Sequence, residues 1–87
     1  MARHHVVQRR KNRQHVLAHL ASHPCEICGE TDTRCLEFDH LDPGKKSAGV
    51  STLVFDGAST DALVREIRKC RVVCANCHRM AHRGGAN

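Results

Sequence analysis

The sequence predicts a small α+β domain stapled by a four-cysteine zinc ribbon, with a basic helix at its N-terminus. Three observations lead there. Cysteines recur as C-x2-C pairs at Cys25/Cys28 and Cys74/Cys77, the usual halves of a tetrahedral zinc site. The β-branched pair Val72-Val73 precedes the second of these, and His78 and His82 follow it four residues apart, so the local order reads strand, zinc knuckle, helix. Finally, the formal net charge of +5 sits entirely in residues 1–24, where Arg3, Arg9, Arg10, Lys11 and Arg13 face no acid. Residues 25–87 balance nine bases against nine acids.

Size explains why a staple is needed. Eighty-seven residues, 40% hydrophobic and with only Phe38 and Phe55 as aromatics, can bury only a thin core. A structural zinc ion contributes about 10–16 kcal/mol of apparent binding energy that is also folding energy, enough to compensate. Six cysteines would also allow three disulfides, but the opening residues contain no apolar stretch of the kind a secretory signal carries. A reducing, cytoplasmic setting is therefore expected, where C-x2-C pairs are metal sites. No apolar run reaches membrane-spanning length, and no membrane association is expected.

The organisation divides into a basic helical arm over residues 1–23 and a zinc-stapled domain over residues 24–87. Val16, Leu17 and Leu20 recur at helical spacing, which predicts a helix over about residues 6–21. Its C-terminal half would dock on the body and its N-terminal half would be left free for phosphates. His4, His5, His15, His19 and His23 read as surface residues, with His15/His19 as a weak metal-binding alternative. Pro24 stops the helix, and Gly29 supplies the tight turn of a CxxCG knuckle. A strand over residues 35–38 follows, with Leu36 and Phe38 on one face. Asp42-Pro43-Gly44 marks a turn, and Leu53, Val54 and Phe55 form a small apolar plug. Ser59 caps a helix to about Lys69 whose apolar face holds Ala62, Leu63, Val64, Ile67 and Cys70. Gly84-Gly85 is expected to end the last helix.

Four thiolates, Cys25, Cys28, Cys74 and Cys77, complete one tetrahedral zinc site with no open position, so that centre is structural. It ties together ends separated by 45 residues and sets residues 35–40 beside the strand before Cys74. Cys35 and Cys70 are left over, as small core hydrophobes in neighbouring strands. A Cys2His2 site of Cys25, Cys28, His78 and His82 is the competing arrangement, at the cost of stranding Cys74 and Cys77. On a helix, His78 and His82 share a face and can chelate a second ion. Asp39-His40 supplies candidate partners for it.

The run Leu36-Glu37-Phe38-Asp39-His40, followed by Cys74-Ala75-Asn76-Cys77-His78-Arg79, resembles the HNH endonuclease family, and in particular its small zinc-ribbon members from phages and bacteria. The likeness covers residues 24–83. It implies a ββα-metal (His-Me finger) fold, in which two strands and a helix surround one divalent ion. Carried over, His40 is the general base, Asp39, His78 and His82 bind the catalytic ion, and Asn76 has a positioning role. The resemblance further implies hydrolysis of DNA phosphodiester bonds, nicking or cutting the duplex to leave 5′-phosphate and 3′-hydroxyl ends. Imidazole ligands would admit Mn2+, Ni2+ or Zn2+ as well as Mg2+. The chain departs from the family in one respect: where an asparagine commonly holds the base-bearing loop, nine residues before His78, it has Lys69.

Candidate phosphate contacts are Arg9, Arg10, Lys11 and Arg13 on the arm, Lys45 and Lys46 in the loop, and Arg79 and Arg83 on the last helix. A solvated basic helix is the plainer reading of the arm. With no Trp or Tyr for stacking, double-stranded DNA is the expected partner, and a homodimer or a larger partner protein would extend the small footprint. A non-catalytic zinc-ribbon DNA-binding module is the alternative to a nuclease, and a protein-interaction zinc module is a third reading.

Overall fold

A computed structural model describes the backbone of residues 2–86 and the side chains of residues 5–81. Expectations for the side chains of His4, His82 and Arg83 lie outside the described residues. Within them the protein is a small α+β fold of four α-helices and one two-stranded antiparallel sheet. The order is α1 (Ala2–Ala21), β1 (Leu36–His40), α2 (Val50–Phe55), α3 (Thr60–Ile67), β2 (Cys70–Cys74) and α4 (Ala75–Ala86), with single 3-10 turns at Thr33–Cys35 and Pro43–Lys45. No helix among the described residues is long and apolar enough to cross a membrane.

Strand pairing sets the frame. Leu36 stands opposite Cys74, Phe38 opposite Val72 and His40 opposite Cys70, and the Leu41 amide donates to Lys69 O at 2.9 Å just past the last pair. Because side chains alternate, Leu36, Phe38 and His40 share one face while Glu37 and Asp39 share the other. The first face looks toward α1 and α3, where Leu20 and half-buried Val16 meet Leu36, Phe38 and Val72. Leu63, Ile67 and Val50 continue this core between α3 and α2, and Leu63 and Val73 are fully buried. The second face looks toward α4, which begins in the residue after β2 ends.

Local chemistry accounts for the element ends. Ser59 Oγ accepts from the Ala62 amide and caps α3, as its sequence position implied. Asp42 Oδ1 accepts from the Gly44 amide and fixes the Pro43–Lys45 turn. Gly29 has φ +83°, the left-handed conformation the knuckle turn requires.

Several expectations are corrected. The N-terminal half of α1 is not free: Asn12 is buried and donates to Ala58 O at 2.9 Å, and Gln8 donates to Thr60 Oγ1 at 3.3 Å. Polar side chains, which periodicity of apolar residues does not register, dock this half on the turn between α2 and α3. Leu17 is exposed, because the docking face runs through Asn12, Val16 and Leu20 at four-residue steps instead. His15 and His19 are half-buried, with the His19 ring stacked on His23 and tilted against Phe38. Burial and the neighbouring His23 and His15 lower the His19 pKa. Cys35 is exposed in a 3-10 turn ahead of β1, outside the core. The apolar plug is a short helix, α2, which leaves Phe55 67% exposed. Helix α4 runs through Gly84 and Gly85, since glycine weakens a helix by about 1 kcal/mol without terminating it.

Candidate metal centres

The knuckle after α1 and the junction of β2 with α4 bring four cysteines together. The Sγ atoms of Cys25, Cys28, Cys74 and Cys77 all lie within 4.8 Å of one another. Cys28 Sγ and Cys74 Sγ are 3.7 Å apart, and a tetrahedral zinc with Zn–S bonds of about 2.3 Å needs sulfurs about 3.8 Å apart. The donor set fits a structural metal. Main-chain geometry is prepared as well: the Cys28 amide donates to Cys25 Sγ at 3.4 Å and the Cys77 amide to Cys74 Sγ at 3.3 Å. Burial opposes ionisation of Cys25, yet the amides of Cys28, Cys74 and Ile27 bring its pKa down to about 6. Hydrogen bonding to Cys74, with burial and the other two thiols, pushes Cys77 up to about 12. A full set of thiolates needs a cation to hold it. With His78 directed elsewhere, the four cysteines displace the Cys2His2 arrangement. All six cysteines are free of disulfides.

On the α4 face of the sheet, Asp39 and His78 meet. Asp39 Oδ1 is 3.3 Å from His78 Nε2, and Asp39 Oδ2 accepts from Arg71 Nε at 3.0 Å. His78 Nδ1 donates to Glu37 Oε1 at 2.7 Å. Glu37 thus orients the imidazole by one nitrogen and turns the other toward the Asp39 carboxylate, the arrangement commonly seen behind a metal-binding histidine. Among the described residues, no second cluster of three or more ligand atoms gathers beside the cysteines. His82 would lie one turn along α4 from His78, outside the described side chains.

His40 sits on the other face. Its side chain is 10% exposed, and Nε2 lies 2.8 Å from Glu66 Oε2 on α3. Glu66 is itself buried and saturated: Oε2 also accepts from the Ser47 amide at 3.0 Å, and Oε1 from Lys69 Nζ at 3.0 Å. Burial resists its ionisation, but Lys69, His40 and the Ser47 and Ala48 amides prevail and hold its pKa near 2. An ionised carboxylate can only accept, so His40 donates its Nε2 proton to Glu66. A groove of about 490 Å³ is lined by Leu36, Glu37, Phe38 and His40 of β1 and by Lys46 and Val50 opposite. Since residues of both faces line it, it follows the unpaired edge of β1.

The structure therefore joins Asp39 with His78, sets His40 on Glu66, and gathers the four cysteines. Asn76 and Arg79 are exposed on α4, and Lys45 and Lys46 are exposed in the loop after β1. On α1, Arg10, Lys11 and Arg13 are exposed and Arg9 is half-buried. Lys69 ties Ser47 Oγ, at 2.9 Å, to Glu66 and so holds the loop that follows His40. Sequence reasoning missed Glu66 and Glu37, though each left a signal. Glu66 lies on the apolar stripe of α3 between Leu63 and Ile67, and Glu37 shares the Asp39 face of β1 by simple alternation.

Comparison with models of protein families, with curated proteins and with solved structures finds no match to this chain.

Proposed function

We propose that the protein is a metal-dependent DNA endonuclease of the HNH type, built on a ββα-metal unit. The observation that carries this reading is the 3.3 Å approach of His78 Nε2 to Asp39 Oδ1 across the strand and helix that the four-cysteine centre joins. A carboxylate and an imidazole turned toward one point suit a divalent ion, with His82 as the further ligand. Such an ion, when bound, supplies Lewis-acid polarisation of a phosphate. Glu37 fixes the tautomer of His78, and Arg71 holds Asp39 in place.

His40 acts as the base. Glu66 keeps its proton on Nε2, so Nδ1 takes a proton from the attacking water as oxygen bonds to phosphorus and the 3′ oxygen departs. The departing 3′ oxygen takes a proton from a water, and the products are a 5′-phosphate and a 3′-hydroxyl. Lys45, Lys46, Arg79 and Arg83 steady the backbone, with Asn76 in the positioning role that the resemblance gives it. The Lys69–Glu66–Ser47 ties do for this loop what an asparagine does elsewhere in the family. A duplex substrate suits the basic surface, in a cytoplasmic setting and with a second copy or larger partner widening the footprint.

A non-catalytic DNA-binding module is the second reading, favoured by the placement of His40 and Asp39 on opposite faces of β1. The two are separated by incubating zinc-loaded protein with labelled duplex in Mg2+, Mn2+ or Ni2+. Cleavage to ends that a DNA ligase rejoins, lost in H78A, supports the nuclease; binding without cleavage under every ion supports the module.

A further inference from the structure

The surface formed by α1 and the end of α2 holds an aromatic ring that the core does not use. Phe55 is the last residue of α2 and is 67% exposed. Arg9 Cζ lies 4.7 Å from the ring centroid, a cation–π contact that caps one face. The Arg9 Nε atom is buried and makes no hydrogen bond. Arg9, Arg10 and Arg13, with Val6, line a depression of about 140 Å³ on α1. Arg13 is one turn beyond Arg9 on the same side of the helix. An exposed ring against the Arg9 guanidinium, with Arg10 and Arg13 lining the same depression as Arg9 on the basic helix, suits a polyanion with planar, apolar groups attached.

We propose that Phe55 is a stacking platform for an unpaired nucleic-acid base, and that Arg10 and Arg13 hold the phosphates flanking it. Arg9 fixes the ring from behind and leaves the opposite face to the base. The proposal shares with the nuclease reading only its choice of nucleic acid, and it places the grip on α1 and α2, away from Asp39 and His78. It makes a strand with unpaired bases, or a duplex carrying a bulge, a better ligand than a fully paired duplex.

The test is fluorescence anisotropy of the zinc-loaded full chain, without added divalent ion so that no cleavage occurs. Three labelled DNA ligands of matched length are compared: a single strand, a duplex with a one-base bulge and a perfect duplex. F55A should weaken single-strand and bulge binding about tenfold while barely changing the perfect duplex, and F55W should restore the preference. R10A and R13A should weaken all three and flatten the salt dependence by about 0.7–0.9 per residue. Equal affinity of wild type for all three ligands, or an F55A protein that binds them as wild type does, would overturn the proposal. So would a fall in the F55A thermal midpoint with unchanged binding, which would make the Arg9–Phe55 contact a staple between helices. Cleavage activity is scored separately, so loss of the nuclease reading leaves these outcomes intact.

Discussion

Glu66 Oε2 lies 2.8 Å from His40 Nε2, a buried carboxylate on α3 fixing the imidazole at the end of β1 from 26 residues away. The same carboxylate accepts from Lys69 and from the Ser47 amide, so one side chain joins the strand end, the loop after it and the helix before β2. Substituting Glu66 by Gln presents an amide that can donate to the imidazole and lets it take the wrong tautomer. E66Q should lower cleavage by about tenfold or more while zinc content and the circular dichroism spectrum stay as in wild type.

The depressed Glu66 pKa also sets a pH dependence. Its folded value near 2 lies below the ordinary 4.5, so between these values the unfolded chain binds more protons and stability rises with pH. The contribution is complete above about pH 4.5 and is lost as the pH falls toward 2. Acid also releases zinc from thiolates, so the effect is read as the difference between the urea midpoints of wild type and E66Q at each pH, with equal zinc content confirmed. The wild-type midpoint should fall more steeply over that window than that of E66Q.

Removing the cysteine-bound metal should unfold the domain. The apparent binding energy of a structural zinc, about 10–16 kcal/mol, exceeds what so thin a core supplies. A strong chelator, or C74S, should abolish the cooperative thermal transition seen by circular dichroism. Cobalt substituted for zinc should give the visible spectrum of a tetrahedral four-thiolate site.

Under the proposed nuclease reading, Glu37 should control affinity for the divalent ion at Asp39 and His78. Its 2.7 Å bond to His78 Nδ1 sets the direction of Nε2, and loss of such a partner costs about 10–100-fold in metal affinity. Mn2+ titration of zinc-loaded protein, followed by electron paramagnetic resonance, should show that weakening in E37A. E37Q keeps an acceptor and should be less affected.

Leu63 is fully buried where α3 meets α2 and the sheet. L63A should cost about 2–5 kcal/mol in chemical denaturation, whereas L17A, at an exposed position on α1, should be near neutral.

Features fixed by local spacing were legible in the sequence. Two C-x2-C pairs led to one four-sulfur cluster, Val72-Val73 to β2, and Ser59 to the cap of α3. What escaped depends on pairings distant in the chain. Asn12 meets Ala58, His40 meets Glu66 and Glu37 meets His78, each across more than 25 residues. Polar side chains in these pairs look like solvated residues until folding supplies the partner. Phe55 erred in the opposite direction: an apolar residue read as core is left on the surface because α2 ends there.

The proposed role of His40 as the base of a metal-dependent nuclease is tested most directly by nicking of supercoiled plasmid by zinc-loaded protein in Mn2+, with wild type beside H40A. Wild type should nick the plasmid, H40A should lose about 10²–10⁴-fold, and that variant should partly recover when imidazole is added to solution. An H40A protein that nicks as fast as wild type, or a wild-type protein that leaves the plasmid intact in Mg2+, Mn2+ and Ni2+ alike, would contradict it.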